Sequence, residues 1–224
     1  RHLNQTVGEK AISEAYSELI RNHTFKRSIF SAGPRRVAFI SHNLSIGEGA
    51  PWSLFELVHG LRDRGIEPHV FAPASGPLLN QYLEASIPVE VFEPVARHSV
   101  KVLNSRYHAV SQKFTEFLRN SRIEAVVCNT VKAAPFAEIA RRAGVPSAVI
   151  VRESYTAPER FSYLDGEAKL AGMTGLANAE HIVFVANTSR EFWSDQPFNG
   201  PVHIIPNGIS QARFAKEIET PKLD

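Results

Sequence analysis

A stretch near residue 50 contains the residue types that could face a phosphate group. Gly47 and Gly49 flank Glu48, and Pro51 follows two positions later. Glycine lets a backbone approach a phosphate, and a helix that begins near Pro51 would direct free N–H groups and its positive dipole end there. Proline suits the first turn of such a helix. The stretch predicts either a phosphate-facing loop or a loop that only reverses the chain direction.

Polar side chains follow most of the short apolar runs that we interpret as strands. Ligands of open α/β sheets bind in the crevice beyond the carboxyl ends of the strands. We therefore expect one shared crevice, and its candidate lining residues are His42, Asn43, Asn129, Thr130, Arg152, Glu153, Asn187 and Arg190.

Several of these residues also have a purely structural interpretation. His42 could bind a sugar or move a proton, or it could fix its own loop by bonding a backbone carbonyl. Arg152 could hold an anion and Glu153 could accept sugar hydroxyls, or the two could form an ion pair that closes a strand end. Asn187 and Arg190 could line the crevice or could cap and start a helix.

Seven short, mostly apolar runs must position these residues. They lie at 36–41, 68–72, 89–92, 125–129, 147–152, 181–186 and 202–205. Continuous apolar character is typical of strands that are covered by helices on both faces. The stretches between them carry helical spacing, including an apolar stripe from Val100 to Phe117 that should face the sheet. The pattern predicts an α/β fold, a doubly wound and mostly parallel Rossmann-like sheet.

Both ends of the chain depart from this alternation. Ile12, Tyr16 and Leu19 give the first twenty or so residues the pattern of an amphipathic helix. Ser31-Ala32-Gly33-Pro34 then interrupts the chain. We predict an N-terminal helical appendage over 1–33, a Rossmann-like domain over 34–214 and the start of an interdomain linker over 215–224.

Composition excludes several classes of protein. The 224 residues carry 25 basic and 23 acidic side chains, a net charge of +2, so nucleic acid is not the expected partner. The lone Cys128 forms no internal disulfide and is expected to be an inert core thiol. The chain contains no P-loop motif, and its first glycine loop lacks the G-x-G-x-x-G pattern of a dinucleotide site. It also contains no metal-binding D-x-D, so no metal is expected.

Three segments together resemble the N-terminal half of a GT-B glycosyltransferase of family 4. They are the glycine loop at 47–51, the helix end Arg62-Asp63-Arg64-Gly65-Ile66, and the final Ile205-Pro206-Asn207-Gly208-Ile209. The resemblance covers roughly residues 36–214. It implies that Gly47, Gly49 and Ala50 face the diphosphate of a nucleotide-sugar donor, which is a co-substrate, and that no separate cofactor is needed.

The same resemblance implies what the chain does. This half would bind most of a carbohydrate or lipid-linked acceptor, and the donor sugar would move to an acceptor hydroxyl with retention. The family's second domain, with its pair of glutamates, would be missing here, so the chain alone should be inactive. The catalytic residues stay unassigned. The alternatives are a non-catalytic Rossmann-like scaffold or regulatory module, and half of another GT-B enzyme such as a sugar-nucleotide epimerase.

Location is predicted only in outline. No apolar run approaches the roughly 20 residues of a membrane span, and the default location is the cytoplasm. The long helix that contains Val100 to Phe117 should leave Arg97, Lys101, His108 and Lys113 towards solvent. These cations could attach the protein to the inner face of a membrane. They could instead be the solvated outer face of a packing helix, the interpretation that nearby Glu116 and Glu124 favour.

Overall fold

The computed structural model of the protein describes residues 9–22, 35–95 and 99–208. The predictions made for the break at 31–34, for Arg97 and for the linker at 215–224 lie outside these residues.

Seven parallel strands form one sheet in the order β3-β2-β1-β4-β5-β6-β7. All seven predicted strands are confirmed, with ends that shift by one or two residues. Each strand is short and mostly apolar because helices cover both faces of the sheet. The strands are β1 Arg35–Ser41, β2 Ile66–Ala74, β3 Val89–Glu93, β4 Ala125–Asn129, β5 Ser147–Val151, β6 His181–Phe184 and β7 Val202–Ile204.

Helices lie on both sides of this sheet, so the doubly wound prediction is confirmed. One apolar core joins α1, α2 and α3 to the sheet, and the other joins α4, α5 and α6 to the opposite face. The helices are α1 Glu9–Asn22, α2 Gly49–Arg62, α3 Leu78–Glu84, α4 Ser99–Asn120, α5 Ala134–Arg142, α6 Gly166–Asn178 and α7 Asn187–Glu191, and a 3₁₀ turn covers Val131–Ala133.

The single cysteine lies in the core of the sheet. Cys128 is in β4 with its side chain fully buried, and it is a free thiol. Burial raises the pKa of this thiol, because a thiolate would lose its hydration there. The protonated, inaccessible side chain fits the predicted inert core thiol.

The long helix α4 packs its apolar stripe on the sheet, as predicted. Leu103, Val110 and Phe114 are buried there, whereas Lys101, His108 and Lys113 are exposed. Two of these side chains have acidic partners: Lys113 Nζ lies 2.6 Å from Glu90 Oε1, and His108 Nε2 lies 2.9 Å from Glu167 Oε2. The acidic partners reduce the positive charge that the outer face of α4 offers.

The N-terminal helix α1 packs against α2, outside the strand-helix alternation. Ile12, Tyr16, Leu19 and Ile20 are buried in the same core as α2. Burial raises the pKa of Tyr16 to about 12, although the nearby positive charge of Arg152 acts in the opposite direction. This helix therefore reaches the end of the sheet where β5 terminates.

Helices α5 and α6 lie close together because one residue at their contact has no side chain. A Cβ atom on Gly175 would be 2.3 Å from the carbonyl oxygen of Ala134 and 2.8 Å from the amide nitrogen of Glu138. Only glycine fits such a contact without displacing one of the helices. The close contact fixes the position of α6, whose first turn lies near the carboxyl edge of the sheet.

Candidate functional site

The carboxyl ends of β1 and β4 form the centre of the candidate site. From β1 the strand order runs one way through β2 and β3, and from β4 it runs the other way through β5, β6 and β7. The chain therefore leaves these two neighbouring strands towards opposite faces, and the reversal opens the crevice in which such sheets bind ligands. His42 follows β1 directly, and Asn129 and Thr130 stand at the end of β4.

His42 lies at the base of this crevice in a network of side-chain contacts. Its Nε2 atom is 3.0 Å from Glu48 Oε2, and its Nδ1 atom is 3.4 Å from Thr130 Oγ1. The Asn43 amide donates to Glu48 Oε1 at 2.7 Å, and its own oxygen accepts the Ser45 N–H at 3.0 Å. His42 thus bonds side chains and not the backbone carbonyl of its own loop.

The charge state of this network follows from burial. His42 is only 4% exposed, and burial lowers its pKa, although the hydrogen bond to Glu48 opposes the change. Burial alone would raise the pKa of Glu48, but its bonds to His42 and Asn43 outweigh it and hold that pKa below the ordinary value. A neutral imidazole beside an ionised carboxylate can accept or pass on a proton from a ligand.

Thr130 has a backbone conformation that is rare for a residue with a side chain. Its φ is 100° and its ψ is 155°. Such strain persists where surrounding contacts fix it, and it concentrates at functional sites. The contacts here are the hydrogen bond from the Thr130 N–H to the Ile150 carbonyl, at 3.0 Å, and the side-chain contact with His42.

The glycine stretch forms the loop that leads into α2. The helix begins at Gly49, two residues before Pro51, and Glu48 occupies the N-cap position without bonding the first turn. A Cβ atom on Gly49 would meet nothing within 4 Å, and one on Gly47 would meet only Ser45 Oγ at 3.7 Å. The space over the first turn of α2 is therefore open on the protein side, and the N–H groups of Gly49 and Ala50 are not capped by a side chain.

Arg152 connects β4 with the segment after β7. Its Nε atom donates to Asn129 Oδ1 at 2.7 Å, and its Nη1 atom donates to Asn207 Oδ1. Asn129 in turn donates to the Ala50 carbonyl at 2.9 Å, in the first turn of α2. Arg152 and Asn129 therefore hold neighbouring segments in place, and two guanidinium nitrogens are already used.

The proposed ion pair between Arg152 and Glu153 is wrong: no salt bridge joins them in the described part of the chain. Glu153 Oε2 instead accepts the backbone N–H groups of Arg152 at 3.0 Å and Val131 at 3.3 Å. Burial raises the pKa of Glu153, and these two bonds oppose the increase. A buried carboxyl group thus stands at the end of β5, beside the crevice, with Oε2 as its bonded oxygen.

Asn187 and Arg190 lie at the edge of the candidate site. Both are exposed on α7, which follows β6, and no hydrogen bond between described residues joins either of them to His42, Asn129 or Arg152. The predicted helix start is confirmed, but capping by Asn187 is wrong, because Ala186 is the N-cap residue and makes no side-chain bond. The two side chains are available at the rim of the crevice.

Sequence reasoning missed Lys132. This half-buried lysine lies in the 3₁₀ turn after β4, and its charge lowers the pKa of His42, Glu48 and Glu153. No hydrogen bond or salt bridge within the described ranges involves its ammonium group. Its position could have indicated a site residue, because Lys132 closely follows the end of the central strand β4, where ligands of such sheets bind.

Among residues 9–22, 35–95 and 99–208, no three His, Cys, Asp or Glu side chains group as metal ligands. No helix in that same part of the chain has both the length and the apolar character needed to cross a membrane.

Comparison with solved structures shows a shared fold. Anabaena HepE, solved with UDP and glucose, is 22% identical with a TM-score of 0.54, and the match covers 81% of this chain and 48% of HepE. The lipopolysaccharide outer core galactosyltransferase WaaB is 13% identical with a TM-score of 0.57, over 78% of this chain and 46% of WaaB. Phytolacca americana UGT2 is 10% identical with a TM-score of 0.56, over 86% and 58%.

These likenesses confirm the predicted resemblance to the N-terminal GT-B domain. This chain spans about half the length of the solved structures it matches. No curated protein matches it significantly in sequence. The model of the family described as Glycosyltransferase Family 4 matches residues 47–213, from the glycine loop to beyond the last strand. The match covers most of the sequence, and the chain therefore belongs to glycosyltransferase family 4.

Proposed function

We propose that this chain is the acceptor-binding half of a glycosyltransferase that moves a sugar from a nucleotide-sugar donor to an acceptor hydroxyl. The observation that carries the proposal is the uncapped, open start of α2 at the crevice where the strand order reverses. A helix start of this kind favours a diphosphate. Family membership supplies the reaction type and the expectation of retention.

Residues 34–214 form the GT-B N-terminal domain in this proposal, 1–33 an appendage, and 215–224 the start of the linker to a second domain. The donor is held mainly by that second domain. Gly47, Gly49 and Ala50 face its diphosphate across the crevice, and Lys132 adds positive charge close by. Acceptors are carbohydrates or lipid-linked sugars, and the reaction takes place in the cytoplasm.

The residues around the crevice have two roles in this proposal, contact with the acceptor and positioning of neighbouring segments. His42, Asn43, Thr130 and Glu153 contact the acceptor, because their polar atoms stand at the ends of the central strands. Asn129 and Arg152 position the start of α2 and the segment after β7. The exposed residues of α7, Asn187 and Arg190, contact the acceptor at the rim.

Catalysis in this arrangement depends on positioning and charge. Holding the acceptor hydroxyl against the anomeric carbon removes much of the entropic barrier. The N–H groups of α2 and the ammonium group of Lys132 stabilise the negative charge that develops on the leaving diphosphate. Both effects require the second domain, which brings the donor to the crevice.

The proposal is tested by comparing the full-length enzyme with this 224-residue chain. Both are incubated with radiolabelled UDP-, GDP-, ADP- and dTDP-linked sugars and a panel of acceptors, and labelled product is counted. We expect transfer by the full-length enzyme and none by the chain alone. Turnover by the chain above about 1 per second, or no use of any nucleotide sugar by the full-length protein, would contradict the proposal.

A further inference from the structure

We propose that the groove between α4 and the start of α6 binds a sugar unit of the acceptor. The groove has a volume of about 460 Å³, within the range of about 300–1,000 Å³ that small-molecule sites occupy. Its lining includes Asn104, Arg106, Tyr107, His108, Asp165 and Glu167. The inference rests on the proposed function, because it names where that reaction's acceptor binds.

The groove lies at a kink in α4. Arg106 has φ −136° and ψ 28°, outside the helical region. Two residues earlier, Asn104 makes three hydrogen bonds: its Nδ2 atom donates to Asp165 Oδ2 at 2.9 Å and to the Tyr163 carbonyl at 3.1 Å, and its Oδ1 atom accepts the Asp165 N–H at 3.2 Å. The walls of the groove are thus held in one arrangement before any ligand arrives.

The chemistry of the walls fits a neutral sugar. Arg106 is already paired with Glu93 at 3.0 Å and lies 4.7 Å from the ring centre of Phe92. His108 is paired with Glu167. Because Arg106 has an acidic partner and the lining also holds the carboxylates Asp165 and Glu167, acidic groups outnumber permanent cations and the groove does not attract a phosphate.

Sugar hydroxyl groups both donate and accept hydrogen bonds, and this groove presents both kinds of partner. Amide, carboxylate, imidazole and guanidinium groups lie side by side along its walls. The half-buried ring of Tyr107 adds an apolar face on which the C–H side of a sugar ring can pack.

Tyr163 connects the groove to the crevice. Its carbonyl bonds Asn104 in the groove, and its ring centre lies 6.1 Å from that of Tyr155, two residues after Glu153. The Tyr163 hydroxyl is buried without a hydrogen-bond partner in the described part of the chain. An acceptor could therefore lie with one sugar in the groove and the next one towards Glu153.

The direct test is a binding measurement on this chain with Ala109→Trp. Ala109 is exposed and lines the groove, so an indole there fills the site without entering the core. Gln112→Trp is the control, because Gln112 is exposed on the same helix, does not line the groove, and among the described residues its side chain bonds Glu116 alone. Saturation-transfer NMR is recorded with maltose, lactose, cellobiose and diacetylchitobiose, and circular dichroism checks that all three proteins are folded.

We expect saturation transfer to at least one disaccharide from the wild type and from Gln112→Trp, and its loss in Ala109→Trp. The inference is overturned if no disaccharide receives saturation from the wild type, or if Ala109→Trp retains the signal of the control. In the full-length enzyme, Ala109→Trp should raise the acceptor KM at least tenfold and leave donor hydrolysis without acceptor unchanged. Failure to use any nucleotide sugar would instead overturn the proposed function.

Discussion

Burial and a neighbouring carboxylate act in opposite directions on the proton affinity of His42. Burial lowers its pKa below the unfolded value near 6.5, and the bond to Glu48 limits the decrease. Between the folded and unfolded pKa values, the unfolded chain binds more protons than the folded one. His42 therefore contributes stability that is present above about pH 6.5 and is lost as the pH falls.

We expect Glu48→Gln to steepen this loss of stability at low pH. Without the carboxylate, the pKa of His42 falls further, so the folded state resists protonation more strongly. In His42→Asn the contribution disappears. The measurement is the free energy of urea unfolding at several pH values from about 7.5 to 5. Burial raises the pKa of Glu153, so the contribution of Glu153 to stability increases as the pH falls through part of this range. Each variant is therefore compared with the wild type. Equal slopes in the wild type and His42→Asn would contradict the prediction.

Lys132 has the charge and position to stabilise a leaving diphosphate. We expect Lys132→Met to reduce kcat/KM of the full-length enzyme about 10- to 100-fold, the loss of one hydrogen bond to a charged group. Lys132→Arg should restore part of the activity. Lys169→Met is the control, because Lys169 is exposed on α6. If both methionine variants keep wild-type kinetics, Lys132 does not contact the reacting groups.

The sequence predicted that the candidate residues share one edge of the sheet, but it did not predict how they interact. The polar residues after the strands converge on one edge because parallel strands all end there. Their partners are distant in sequence: His42 contacts Thr130, and Arg152 bonds Asn207. No local pattern indicates such pairs. Lys132 was missed because a single lysine in a short turn has no motif.

Among the helices, Gly175 determines how closely α6 packs against α5. We expect Gly175→Ala to lower the free energy of unfolding by about 1–3 kcal/mol, because the added methyl group overlaps backbone atoms of α5. Gly49→Ala is the matched control, since its added methyl group meets nothing within 4 Å. It should change stability by less than about 0.5 kcal/mol. The measurement is the free energy of urea unfolding of both variants. Equal values would show that α5 and α6 can move apart without loss of stability.

The elements themselves were predictable because their patterns are strong. The strands β4, β5 and β6 are nearly continuous apolar runs that are buried throughout, and the stripe of α4 repeats at helical spacing. The kink at Arg106 was not predicted, because neither proline nor glycine marks it in the sequence. Capping by Asn187 was predicted wrongly: asparagine is a favoured N-cap residue, but the helix starts one position earlier than the prediction required.

Viewed whole, the described chain is one doubly wound sheet whose crevice lies at one edge. The family match begins at residue 47 and excludes α1, yet α1 shares the apolar core of α2 and brings Tyr16 close to Arg152. On the opposite face, Lys113 and His108 of α4 lie beside the acidic residues Glu90 and Glu167, and the membrane contact of this helix stays a prediction.

The most direct measurement is the initial rate of sugar transfer by full-length wild-type, Gly49→Ala and Gly49→Val enzymes with the donor that the wild type uses. Valine places a branched side chain in the open space over the first turn of α2, where the proposal puts the diphosphate. We expect kcat/KM to fall at least about 100-fold in Gly49→Val, with a smaller loss in Gly49→Ala and unchanged thermal unfolding in both. A correctly folded Gly49→Val enzyme that transfers sugar at the wild-type rate would show that the diphosphate does not bind at the start of α2.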